Sequence, residues 1–122
     1  MNSKTFLLIL VAVAFTVSCG QQHKAQKTVD RFLDTYFANK EVIVEIVTFD
    51  STRHLKPDVV EMLRQKAKSD RRFSASIQYV RAVDSQRMMP YSRVRLLEGT
   101  DTTYCTFYFD SQLEGVVCFK EN

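Results

Sequence analysis

The residues best suited to acid–base chemistry lie in the short segment FDSTRH, which contains Asp50 and His54. A carboxylate beside an imidazole is a common arrangement for general acid–base catalysis, so these two residues are the candidate catalytic pair. The segment also has the composition of a strand-to-helix connection, in which Asp, Ser and Thr side chains bind backbone N–H groups. We favour this structural interpretation and expect that the protein is not an enzyme.

Metal and cofactor chemistry is not indicated by the sequence. Its two histidines, His23 and His54, and its three cysteines, Cys19, Cys105 and Cys118, do not have the spacing of zinc ligands. Glycine-rich phosphate loops, the G-x-S-x-G nucleophile elbow and the C-x-x-C pair do not occur in the sequence. We therefore predict no metal and no cofactor.

An apolar segment of 13 residues, 5–17, opens the chain. A helix needs about 20 residues to cross a bilayer, so this segment is too short to span one. Lys4 precedes it and small residues follow it, which is the three-part layout of a secretory signal. We predict that residues 1–18 are a signal peptide that is cleaved off.

The residues at the end of that segment, TVSCG, resemble a bacterial lipobox of the loose type found in Bacteroidota lipoproteins, with Thr16 where Leu is usual. The resemblance implies that Cys19 carries diacylglycerol and becomes the first residue of the mature chain, and two or three acyl chains give an effectively permanent anchor. Ordinary cleavage near Ser18, which leaves a thiol at Cys19, is the alternative. The lipobox divides the chain into a signal peptide, a lipidated tether and one α+β domain: residues 1–18, 19–23 and 24–122.

The same resemblance implies a location in the cell envelope. We expect a lipoprotein of the outer membrane that faces the periplasm, because no acidic run follows Cys19. Cleavage removes Lys4 from the 17 Lys and Arg residues, so 16 basic residues stand against 14 acidic ones in the mature chain. Basic residues are concentrated in residues 64–95, which indicates either a mixed solvated surface or a basic face for anionic lipid or a charged glycan. The expected partners are the membrane and an envelope protein or glycan, and not nucleic acid.

Hydrophobic periodicity predicts one small α+β domain. We expect a helix, a strand, a second helix and then a four-stranded antiparallel meander packed on the helices. In chain order these elements are a helix at 24–38, a strand at 41–49, a helix from Pro57 to about Lys68, and strands at 73–83, 91–98, 101–108 and 116–120.

One hairpin of the meander has a defined register. The turn EGTD carries Gly99 at its first central position, as a type II′ turn requires, so Glu98 lies opposite Asp101. Arg and Tyr side chains can bind carbohydrate, peptide or acidic groups together, and a solvated sheet face without a ligand is the alternative. The register places five such residues on one candidate binding face: Tyr91, Arg93, Arg95, Tyr104 and Tyr108.

Two of the cysteines are expected to form a disulfide. Once Cys19 is assigned to lipid, Cys105 and Cys118 are an even pair in an oxidising compartment. The bridge requires Cys105 to lie directly opposite Cys118, with the turn centred between Ser111 and Gln112. A longer loop at residues 110–115 would slip this register and separate the two thiols.

The opening helix VDRFLDTYF and the closing hairpins RVRLLEGTDTTYCTFYF and FDSQLEGVVCF are similar to the nuclear transport factor 2-like superfamily and the related cystatin-like fold. The resemblance implies a cone-like domain, in which a curved sheet wraps around the helices and leaves a pocket at its open end. Since this fold hosts many functions, it does not select one. We expect a lipid-anchored, non-enzymatic binding module; the alternatives are a cone-fold enzyme that uses Asp50 and His54, and a purely structural envelope lipoprotein.

Overall fold

The computed structural model describes residues 3–82 and 88–122, with the side chains of residues 20–82 and 88–122. These residues form the predicted α+β domain, with two helices and an open four-stranded antiparallel sheet in the order β1-β2-β3-β4. No helix in this described part of the chain has both the length and the apolar character to cross a membrane. The elements are α1 (Ser3–Tyr36), β1 (Ile43–Arg53), α2 (Pro57–Ala67), β2 (Met88–Glu98), β3 (Asp101–Phe109) and β4 (Val116–Glu121).

α1 covers one face of the sheet with the apolar residues whose spacing predicted a helix at 24–38. The helix ends at Tyr36. The turn after it is held by Asn39, whose Oδ1 accepts a hydrogen bond from the Glu41 N–H at 3.0 Å. The apolar side chains that α1 buries are Ala25, Val29, Phe32 and Leu33, and Phe37, directly after the helix, is buried as well.

β2 and β3 form the predicted hairpin in the predicted register, with Glu98 opposite Asp101. Gly99 has a φ of 60°, which the first central position of a type II′ turn requires. β1 pairs with the other side of β2, and a bulge interrupts this ladder between Ile46 and Thr48. The sequence register therefore correctly assigns the residues of β2 and β3 to the two faces of the sheet.

The strand predicted at 73–83 is wrong for the residues of it that the structure describes, 73–82. Phe73 makes an isolated bridge to Phe37, and the Val80 N–H donates to the Val116 carbonyl at 3.1 Å, but no ladder forms. The alternation of apolar residues indicates only that one side of this segment is buried. An extended segment can bury that side without pairing in a sheet, so the pattern does not require a strand. The four strands of the meander are instead β1 to β4, with β1 as an edge strand next to β2.

Two hydrophobic clusters lie on opposite faces of the sheet. The cluster under α1 contains the aromatic residues Phe32, Phe73, Phe107 and Phe119, and Ile77 and Tyr79 of the extended segment pack against it. The smaller cluster lies under α2. The position of this helix, Pro57–Ala67, confirms the prediction of a helix from Pro57 to about Lys68. The buried residues of the smaller cluster are Val60, Leu63, Met89, Tyr108, Val117 and Cys118.

The predicted disulfide between Cys105 and Cys118 is not compatible with this sheet. Cys105 pairs with Glu121 and Cys118 pairs with Tyr108, so the register differs from the predicted one by three residues. An odd shift moves a side chain to the other face, and the two cysteines accordingly belong to different clusters. Within the described residues both are free, buried thiols.

The loop between β3 and β4 explains the shifted register. Asp110 closes a six-residue connection, because its Oδ1 accepts hydrogen bonds from the Glu114 N–H at 2.8 Å and the Gly115 N–H at 3.1 Å. The ladder is also irregular between Tyr108 and Phe109.

Burial raises the pKa of both cysteine thiols to about 12, so they are protonated and unreactive near neutral pH.

Candidate functional site

The structure does not bring Asp50 and His54 together. Asp50 lies in β1 and its Oδ1 accepts a hydrogen bond from the Ser51 N–H at 2.8 Å. His54 follows the strand, and its Nδ1 donates to the Leu55 carbonyl at 2.8 Å, while its buried Nε2 has no partner among the described residues. Four residues of extended chain separate the two Cα atoms by about 13 Å. Asp50 therefore binds a backbone N–H, but it does so from within β1, which continues to Arg53, and not from the strand-to-helix connection that the sequence predicted.

The five residues of the candidate binding face lie on one face of the sheet, opposite α1, but they do not form one surface. Tyr108 is only 7% exposed under α2, and Tyr91 is half-buried beside it with the ring centroids 6.2 Å apart. These two tyrosines belong to the cluster under α2. The three remaining residues, Arg93, Arg95 and Tyr104, are accessible, and we call them the open face.

Arginine side chains organise the open face. The guanidinium of Arg93 lies 5.2 Å from the centre of the Tyr104 ring, which is cation–π distance. Arg95 forms an ion pair with Glu45 on the neighbouring strand, and this hydrogen bond raises the pKa of the guanidinium. Since Glu45 neutralises Arg95, the charge of Arg93 is the one that the open face offers to a ligand.

Lys120 adds a second cation next to the open face. Thr106 pairs with Arg93 on one side and with Lys120 on the other, so the two cations lie on the same face, two strands apart. That spacing corresponds to about 10 Å. Neither cation forms an ion pair with any carboxylate that the structure describes. The arrangement is suited to binding acidic groups beside an aromatic ring.

The pocket implied by the cone-like resemblance is filled by aromatic side chains. Between α1 and the sheet, the Phe32 ring lies 5.9 Å from Phe107 and 5.7 Å from Phe119, and Phe107 stacks on Phe119 at 5.3 Å. Phe37 packs edge-on against Phe73 at 4.9 Å. A small ligand has no space between these rings.

A charge cluster that the sequence did not reveal lies at the end of the sheet near the β2–β3 hairpin. Arg72 forms ion pairs with Asp70 at 2.8 Å, with Glu121 at 3.1 Å and with Glu98 at 3.9 Å. Its guanidinium also lies 5.9 Å from the centre of the Phe37 ring. The acidic partners come from three separate parts of the chain, so no local sequence pattern predicts the cluster.

The Arg72 cluster fixes the connection after α2 to the sheet. Hydrogen bonding to Arg72 lowers the pKa of Asp70, and the same bond raises the pKa of Arg72. A cleft of about 470 Å³ adjoins the cluster, with Lys66 and Lys120 among its lining residues. Since both acidic and basic side chains line this cleft, it has less charge preference than the open face.

The proposed lipid attachment at Cys19 lies outside the described side chains. Residues 20–24, which correspond closely to the predicted tether, are all exposed, and Ala25 is the first buried residue after them. The structure has these residues as part of α1, which runs without interruption from Ser3 to Tyr36.

No protein-family model, no curated protein and no solved structure matches this chain. Of the residues singled out in the sequence, the fold brings together Arg93, Arg95 and Tyr104, and separates Asp50 from His54.

Proposed function

We propose that the chain is a lipid-anchored protein of the cell envelope, attached through Cys19 to the outer membrane and facing the periplasm. The lipobox resemblance of TVSCG carries this proposal. The exposure of residues 20–24 supports it, because a tether has to leave the domain without crossing its core. Cleavage after residue 18 keeps all of the buried side chains from Ala25 onward in the mature chain.

The domain acts as a non-enzymatic binding module, and the open face is its binding surface. The observation that carries this part is the accessible cation Arg93, stacked on Tyr104 and aligned with Lys120. Arg binds carboxylate and phosphate through two parallel hydrogen bonds, and an aromatic ring beside it supports sugar or peptide. The partner is accordingly an envelope glycan or protein that carries acidic groups.

The fold-level likeness to nuclear transport factor 2-like and cystatin-like domains is part of the same proposal. An opening helix on one face of an antiparallel meander supports it. The aromatic filling of the space between helix and sheet directs binding in this member to the outside of the domain.

The anchor is tested by mass spectrometry of the mature N-terminus. We expect a lipid-modified Cys19 and membrane fractionation, both lost in Cys19→Ser. Cys105→Ala is the matched control, because it removes a buried thiol that the proposal does not involve. An unmodified thiol on Cys19 would refute the lipoprotein assignment.

The binding surface is tested by charge reversal. We expect the double variant Arg93→Glu and Lys120→Glu to weaken retention of acidic envelope partners by about tenfold in cross-linking and pull-down experiments. The double variant Lys27→Glu and Arg31→Glu is the control, since both residues are exposed on α1, which covers the opposite face of the sheet. Equal retention by all three proteins would exclude the open face as the binding surface.

A further inference from the structure

The segment before Ala25 leaves the domain at one particular end of the sheet. Gln21 lines a cleft of about 390 Å³ together with Phe49, Met88, Pro90 and Leu113. α1 is fixed at this end by Thr28, whose Oγ1 donates to the Leu113 carbonyl at 2.5 Å. We call the end defined by Gln21, Phe49, Met88 and Leu113 the tether end.

The opposite end of the sheet is far from this point. There the Nδ2 of Asn39, just after α1, donates to the Glu98 carboxylate at 3.2 Å. β2 runs from Met88 at the tether end to Glu98, which is about 33 Å of extended chain. α1 and β2 therefore both run from the tether end toward the β2–β3 hairpin.

Cys19 lies two residues before Gln21, and this short separation limits where a membrane can be. Two helical residues advance about 3 Å, and two fully extended residues reach about 7 Å. A bilayer that holds acyl chains on Cys19 therefore lies within a few ångströms of the level of Gln21. The side chains that surround Gln21 must meet its surface.

The chemistry of the tether end fits an interface between lipid headgroups and acyl chains. Met88 is a large apolar side chain that is 52% exposed at the start of β2. Among the residues that the structure describes, Asp50 and Arg53 are exposed charges beside it, and their opposite signs give no net attraction to anionic lipid from this pair. Apolar side chains at this depth gain free energy by leaving water for the interface.

We infer that the tether end docks on the phospholipid bilayer that holds the anchor, with Met88 inserted at the level of the headgroup–acyl boundary. This inference rests on the proposed function, because it requires lipid on Cys19. It orients the whole domain. Arg93 and Arg95 lie five and seven residues along β2 from Met88, so the open face is held about 17–23 Å above the membrane.

The absence of tryptophan from the chain allows a direct test. We would place a single tryptophan by Met88→Trp in the mature, lipidated protein and reconstitute it into phosphatidylcholine vesicles with and without brominated acyl chains. Relative to the same variant in a lipid-free Cys19→Ser background, the emission is expected to shift to the blue. Brominated lipid is expected to quench it.

Two matched positions serve as controls. Ile43→Trp replaces an apolar residue of similar exposure, 58%, at the end of β1 beside the β2–β3 hairpin. Thr100→Trp lies in the exposed turn between β2 and β3, at the opposite end of the sheet. Neither tryptophan is expected to be quenched. Ser51→Trp, on an exposed residue of the tether end, is a second probe if Met88→Trp does not fold.

The outcomes separate the inference from the proposed function. Equal quenching at Met88 and Thr100, or none at either in protein with lipid on Cys19, overturns the docking and leaves the lipoprotein assignment intact. An unmodified Cys19 in the mass spectrum overturns both. Quenching at Met88 and Ser51 alone supports the orientation.

Discussion

The two faces of the sheet are covered to very different extents. On one face α1 and the segment 73–82 bury a continuous aromatic cluster that includes Phe107 and Phe119. On the other, α2 covers only the half of the face at the tether end, and Arg93 and Tyr104 stay accessible beyond it. Along one strand, successive side chains therefore point alternately into the core and toward solvent.

This difference separates the face that stabilises the fold from the face that we propose for binding. Burial of apolar area contributes about 25 cal/mol per Å², so the face under α1 supplies most of the hydrophobic stabilisation. The open face contributes little to folding, and its residues are free to be selected for a ligand. Substitutions on the two faces of β3 should therefore have opposite consequences for stability and for binding.

The largest expected effect is that of Phe107→Ala in β3. Phe107 is fully buried, and its ring contacts Phe32 and Phe119. Loss of a buried ring from such a cluster costs about 3–5 kcal/mol in the free energy of unfolding. Urea denaturation of the mature domain measures it, with Phe107→Leu as the milder control. A loss below about 1 kcal/mol would mean that the cluster is not tightly packed.

A smaller effect is expected at Gly115, the residue directly before β4. A Cβ on Gly115 would lie 2.1 Å from Cγ1 of Val80, so Gly115→Ala must displace the segment 73–82. Such overpacking typically costs about 1–3 kcal/mol. Denaturation of Val80→Ala, Gly115→Ala and the double variant measures the coupling between the two sites. If the double variant is not more stable than Gly115→Ala, the close approach of the two residues is refuted.

Local patterns in the sequence were sufficient for α2, for the β2–β3 hairpin and for the part of α1 that packs on the sheet, although α1 begins at Ser3 and not at residue 24. Helical spacing identified the buried side of α1, and Gly99 fixed the turn and hence every pair from Glu98 back to Tyr91. These predictions succeeded because the determinants lie within a few residues of the elements that they specify.

The errors concern contacts between residues that are distant in the chain. Packing between distant segments decides three features: the pairing partner of β1, the unpaired path of residues 73–82 and the β3–β4 register. The disulfide needed a tight turn after Phe109, and the structure has a six-residue loop there instead. For the same reason, the hairpin register assigned Tyr91 and Tyr108 to the binding face, but it could not show that they pack under α2.

The Arg72 cluster gives a pH-dependent prediction. The pKa of Asp70 is lowered from its ordinary value of 3.8, so this carboxylate stabilises the fold above about pH 4, and the contribution is lost as the pH falls through the lowered pKa. Arg72→Gln should reduce the free energy of unfolding by about 1–2 kcal/mol near neutral pH. The difference from the unsubstituted protein should shrink near pH 3.

Thermal denaturation at both pH values measures this contribution. Arg71→Gln is the control, because Arg71 is an exposed arginine next to Arg72 in the chain. If Arg72→Gln and Arg71→Gln lower the melting temperature equally, or if the loss is the same at both pH values, Arg72 does not stabilise the fold through Asp70.

The smallest effect on stability is expected for Tyr104→Ala, three residues from Phe107 on the other face of β3. Tyr104 is 36% exposed and its ring contacts the guanidinium of Arg93 rather than the core. The free energy of unfolding should change by no more than about 0.5 kcal/mol, the usual range for surface positions. Retention of acidic partners should nevertheless fall, because Arg93 loses the ring that positions it. A large loss of stability, or unchanged retention, would show that Tyr104 supports the fold instead of the binding surface.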